Sequence, residues 1–179
     1  SGAGWYSYYD NKPSILLGIE NILILNWNNE SSIRALISHE FGHLLHEYYR
    51  NEKVECESIN NHAANILYSE GFAQYFESIM IQSNIFPELE EGNDNFNNFV
   101  LNNLKDIAKE YLNRIKKNSI VKEFYGSWYK WNNYRQIGYY LGYFVTAEMQ
   151  KNMSLKHIAK LPEDEYIKYI TNVLTTAST

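Results

Sequence analysis

Between Glu30 and Arg50 the apolar residues Ile33, Leu36, Ile37, Phe41, Leu44, Leu45 and Tyr48 recur at spacings of three and four, the period of one buried helix face. Asn29, Ser31 or Ser32 is available to cap the first turn. The same period predicts a second helix over residues 59–82, closed off by Pro87. It predicts a third over 94–117, carrying Phe96, Phe99, Val100, Leu104, Ile107, Ala108, Tyr111, Leu112 and Ile115, and a fourth over 135–151. The stretch "WYKWNNY" reads as loop or a single turn, and "SLKHIAKLPEDEYIKYITNVL" as two short helices with Pro162 at the first position of the last. Ahead of these helices, residues 5–9 and 14–25 are rich in β-branched and aromatic side chains and bounded by turn signals, so both are read as strands. The expected fold is mostly α with a small N-terminal β-sheet, an α+β arrangement.

Composition narrows the picture. At 179 residues and 45% hydrophobic content the chain can bury one core, and a single domain over 1–179 is expected. A net charge of −5 argues against a nucleic-acid surface, which needs clustered Lys and Arg. Only "RIKK" (Arg114 to Lys117) offers such a cluster, and it reads as the last turn of a helix. The one cysteine, Cys56, excludes an intrachain disulfide, lacks Cys/His metal spacing and reads as an ordinary loop thiol. No run approaches the roughly 18 apolar residues of a membrane span, so the chain is expected to be soluble. The opening "SGAG" reads as an expression remnant, which leaves room for a removed signal segment or upstream domain and leaves the compartment open.

The chemistry concentrates in "ISHEFGHLLHEYY". His39 and His43 lie four residues apart, about 40° around a helix and one turn along it, so two imidazoles can converge on one ion. Neutral imidazoles are good zinc ligands. Glu40 points about 100° away, suited to a water beside the metal rather than to the metal itself, which is the placement of a general base. A catalytic zinc needs a third protein ligand and one open position. His46 starts its side chain a further turn along the same cylinder and is read as lying behind the ligands or facing solvent. The better candidate is Glu70, followed by Gly71, whose small size lets the second helix approach another element.

His39-Glu40-x-x-His43 followed by "YSEGFAQYFE" resembles the gluzincin zinc peptidases, whose downstream glutamate is the third ligand; Glu70 is the matching position. The chain is still more similar to a group of bacterial predicted zinc-dependent proteases that combine His-Glu-x-x-His, an "EGLA" or "EGFA" helix and a later "GYxxGY" helix, here Gly138 to Tyr143. The similarity spans roughly residues 14–169 and implies a zincin-like metallopeptidase fold in minimal or truncated form, with Zn²⁺ as cofactor and peptide or protein as substrate. It departs from the metzincin pattern, which has glycine at His46 and histidine at Tyr49. Gluzincins place a tyrosine or histidine donor beside the metal, which makes Tyr139 and Tyr143 catalytic candidates ahead of Tyr140 and His157. Arg135 shares their expected helix face and joins the substrate-binding candidates; Gly138 and Gly142 equally suit tight helix packing. "GIEN" (Gly18 to Asn21) resembles the "GAMEN" substrate strand of the aminopeptidases, with Ile19 in place of methionine, and gives Glu20 and Asn21 as substrate-binding candidates. Glu77, seven residues after Glu70 on the same face, either orients a ligand histidine or faces solvent.

The function expected is zinc-dependent peptide hydrolysis with Glu40 as base and a substrate strand added to the edge of 14–25. The alternatives are a helical binding module with a structural or vestigial zinc site, and a domain whose cleft is completed by a missing N-terminal part. A fourth protein ligand on the ion would favour the binding module.

Overall fold

The computed structural model describes residues 2–58, 60–84, 86, 94–125, 130, 131 and 134–179, with only the backbone of 94 and 95. Pro87 and most of "WYKWNNY" lie outside the described residues.

The chain opens with an antiparallel hairpin of β1 (Gly4–Tyr9) and β2 (Lys12–Leu17), Gly4 opposite Leu17 and Tyr9 opposite Lys12. Its turn is Asp10-Asn11, with φ of 48° and 59°, the left-handed pair that matches the twist of a two-residue hairpin. The second strand is shorter than the sequence suggests: residues expected to continue it form helix α1 (Ile19–Ile24). Gly18 donates its N–H to the Ala3 carbonyl at 2.8 Å, ending the sheet, and its own carbonyl accepts from the Ile22 N–H at 3.0 Å, starting a turn. A short apolar run fits strand and helix alike, and these two bonds decide it.

Helix α2 (Glu30–Arg50) has the predicted bounds: the Asn29 side chain accepts from the Ser32 N–H, and Asn51 ends the helix in a left-handed conformation. Then follow α3 (His62–Ile81), α4 (Asp94–Asn102), α5 (Leu104–Lys116), α6 (Lys122–Tyr125), α7 (Ile137–Gln150), α8 (Leu155–Ala159) and α9 (Glu163–Ala177). The predicted third helix is thus two, parted at Asn103, whose backbone leaves helical geometry (φ −113°, ψ 10°) and whose side chain donates to the Phe99 carbonyl at 2.8 Å. The four-residue α6 was not anticipated. The last helix runs 15 residues rather than a short stretch, and Pro162 sits at its N-cap, one position before the helix.

α3 lies between α2 and α7 and touches both at backbone distance. A Cβ on Gly71 would stand 2.5 Å from the Gly142 carbonyl oxygen, and one on Gly42 would stand 2.8 Å from the Ala73 Cα. Beyond that contact a continuous core is built from α3, α5, α7 and α9, with Phe72, Tyr111, Leu141 and Ile170 fully buried. A small separate cluster of Ala3, Ile22 and Leu36 fastens the hairpin and α1 onto α2. The structure is mostly helical with a two-stranded N-terminal sheet. No helix among the described residues is long and apolar enough to cross a membrane.

Candidate metal centre

The Gly42–Ala73 contact sets one face of α2 against α3 and brings His39, His43 and Glu70 together. His39 Nε2 and His43 Nε2 lie 3.2 and 3.3 Å from the same oxygen, Glu70 Oε2. One ligand atom from each residue falls within 4.8 Å of the others, with the two imidazole rings edge to face at 4.9 Å. Two imidazole nitrogens and one carboxylate oxygen converging from two helices are the donor set of a zinc site with one position to spare. Among the described residues no fourth His, Cys, Asp or Glu joins the group.

The electrostatics are those of a tight ion cluster. Burial by itself would raise the Glu70 carboxyl, but His43 and His39 hold it far below the usual carboxylate range. Burial would depress His39, yet the Glu70 and Glu77 carboxylates at its two ring nitrogens outweigh that and hold it well above an ordinary histidine. Glu77 is fully buried, its Oε2 3.4 Å from His39 Nδ1 and accepting a 2.7 Å bond from Gln74 Nε2. Of its two sequence readings the solvent-exposed one is corrected: Glu77 supports the ring of His39 from behind and leaves Nε2 to the metal.

His46 needs correction as well. It does not face solvent but lies in the core, stacked on Phe72 at 4.2 Å and edge-on to Tyr68 at 4.7 Å, and is not one of the converging ligands. Burial, then His43 and Arg50, keep its pKa well below the ordinary histidine value, so it packs as a neutral aromatic ring.

Glu40 is 7% exposed and lines a cleft of about 540 Å³ together with His39, His43 and Glu70. The loop Lys53 to Glu57, which includes Cys56, lines the same cleft. That thiol is therefore a cleft residue rather than an ordinary loop thiol, and burial, then Glu70, push its pKa up to about 11. Tyr139 lies on the same cleft, its ring 5.7 Å from that of His39.

The remaining candidates are not brought to the cleft. Tyr143 packs against Tyr75 and Phe86, because beyond the Gly71–Gly142 crossing its face of α7 meets the far end of α3. Arg135 precedes the start of α7 and is exposed, so it shares no helix face with Tyr139. Glu20 is exposed on α1, and the Asn21 side chain donates to the Gly2 carbonyl; their segment is helical, so "GIEN" is not a substrate strand. His157 is exposed on α8.

Three neighbours of the centre went unread. Alternate residues of β1 run along α2: Gly4 meets the Glu40 side chain, Tyr6 stacks on His43 at 5.7 Å, and the Tyr8 hydroxyl donates to Glu47 at 2.9 Å. Their period of two was visible, but what it faced was not. Tyr125 of α6 sets its ring 5.2 Å from Tyr139 and its hydroxyl 2.9 Å from that of Tyr111. Gly2 and Ala3, read as part of a remnant, line an adjoining pocket that His39, Glu40 and Tyr139 also line.

Comparison with known proteins adds one finding. The model of the family described as "Putative zinc dependent peptidase (DUF5700)" matches residues 9–172. No curated protein and no solved structure matches the chain.

Proposed function

Because the chain belongs to the family described as putative zinc dependent peptidases, we propose that it hydrolyses peptide bonds in the gluzincin manner, on a reduced zincin-like fold, with His39, His43 and Glu70 as the protein ligands of a catalytic zinc. One observation carries this reading: three ligand atoms converge while Glu40 lines the same cleft and no fourth candidate ligand joins the group among the described residues. A structural site would be closed by protein.

A zinc ion held there supplies Lewis acidity and brings the pKa of water toward about 7. Glu40 accepts the proton of the attacking water and later hands it to the departing amine. Glu77 holds His39 in the tautomer that leaves Nε2 for the metal. Tyr139 offers its O–H to the carbonyl oxygen as negative charge develops there. Gly4, Trp5 and Tyr6 edge the cleft, so an extended substrate pairs with β1 rather than with the segment at 14–25. The test is a digest of a mixed peptide library by the parent and by Glu40→Gln. The variant should keep its zinc and lose turnover; equal cleavage by both proteins would remove Glu40 from the mechanism.

A further inference from the structure

The cleft has a side branch. Helix α3 presents His62, Ile66 and Glu70 at intervals of four, so these three share one face, and the last of them is a metal ligand. Facing that stripe is the segment that enters α6, with Val121 fully buried and Tyr125 one turn further on. Between the two lies an open cavity of about 500 Å³, walled mainly by apolar surface. Cys56, Glu57 and Glu70 line both this cavity and the metal cleft, and Tyr125 lines both this cavity and the space beside Glu40 and Tyr139. The two spaces therefore adjoin at Glu70 itself, a residue of the metal cluster.

We propose that this cavity is the specificity subsite of the peptidase, taking a large apolar side chain, of leucine or phenylalanine size, from a substrate residue next to the scissile bond. The inference rests on the zinc peptidase reading for what occupies the cleft. The commitment to an apolar occupant comes from the walls. Ile66, Val121 and the Tyr125 ring offer carbon. The His62 Nδ1 is already engaged with the Cys56 carbonyl at 2.8 Å. Among the described residues that line it the Lys or Arg is Lys122, which is exposed, so its ammonium can stay in water while its stem adds carbon to the wall. Ile66 is the residue that sets the depth, since it stands one turn from Glu70 and is only partly buried.

The test uses amino-acid hydroxamates, whose head group binds zinc and whose side chain probes the branch without any turnover. On the zinc-loaded parent, leucine and phenylalanine hydroxamates should bind roughly tenfold more tightly than glycine hydroxamate, the gain expected for burying such a side chain in a half-open site. Ile66→Trp should bring that ratio to about one and leave glycine hydroxamate affinity unchanged; Ile66→Ala, which folds more readily, should cut the leucine advantage about fourfold. A parent ratio near one, or a ratio that survives both substitutions, overturns the subsite. A ratio that behaves as stated while the parent cleaves no peptide upholds the cavity and sinks only the proposed hydrolysis. Failure of glycine hydroxamate to bind at all refutes the metal centre and takes the subsite with it.

Discussion

Gly42 is the residue whose replacement should damage the metal centre without touching a ligand. It falls inside the motif between Glu40 and His43, and there α2 rests directly on the backbone of α3. An added Cβ would stand 2.8, 3.0 and 3.3 Å from the Cα, O and C atoms of Ala73. Comfortable carbon–carbon contact begins near 3.5 Å, so the helices must part by about 0.5–0.7 Å, and backbone atoms cannot rotate out of the way. Overpacking of this kind costs about 1–3 kcal/mol, and the better helix propensity of alanine returns about 1 kcal/mol. The net loss for Gly42→Ala is at most about 2 kcal/mol, or a melting point lower by up to about 8 °C for a chain of this size. Metal sites tolerate about 0.2 Å, and the parting moves His39 and His43 away from Glu70 by more than that. Zinc affinity should therefore fall at least about tenfold, as when a supporting shell is disturbed. Thermal unfolding of the metal-free protein and chelator competition for zinc measure the two effects separately. A variant that melts no lower than the parent and binds zinc equally well would refute the claim that this contact places the site.

Three further outcomes follow from the same geometry. Glu77→Gln removes the charge behind His39 and should weaken zinc binding by about 10–100-fold in the same competition assay, with the ligands intact; unchanged affinity would return Glu77 to a purely structural role. Tyr139→Phe should lower kcat by about 10²–10³ with full zinc content, the usual loss of one transition-state donor, and an undiminished kcat would exclude its hydroxyl. His46 is held neutral in the fold, with a pKa well below its unfolded value near 6.5. The unfolded chain therefore binds the extra proton as pH falls, and the stability present above about pH 6.5 is lost below it. Chemical denaturation at pH 7 and pH 5 should show the parent losing roughly 1–2 kcal/mol more than His46→Phe; equal losses would contradict the neutral core assignment.

The parts of this protein that were legible in the sequence are those whose geometry is local. The bounds of α2 and the pairing of His39 with His43 follow from a helical period and a cap, and both need only neighbours within a few residues. Glu70 was readable because Gly71 announced a close helix approach, and the resemblance gave the glutamate its role. The misreadings mark where a distant contact decides. Whether residues 18–24 extend or coil depends on a bond from Gly18 to Ala3. Tyr139 and Tyr143 are equivalent by helical spacing, and only the crossing at Gly142 sends one to His39 and the other to Tyr75. His46 carries the same chemistry as the ligands and differs from them only in having Phe72 and Tyr68 around it. Tyr6 and Tyr125 carry no motif at all, and their place beside the centre comes from β1 lying along α2 and α6 folding back onto α7.

The proposed chemistry requires one divalent ion among His39, His43 and Glu70 with a position left over. Diffraction from zinc-loaded crystals, recorded on both sides of the zinc absorption edge, tests it most directly. A single anomalous peak is expected about 2.0–2.2 Å from His39 Nε2, His43 Nε2 and a Glu70 oxygen, with one coordination position not filled by protein. A peak elsewhere, or one closed by a fourth side chain such as His46 or Cys56, would contradict it.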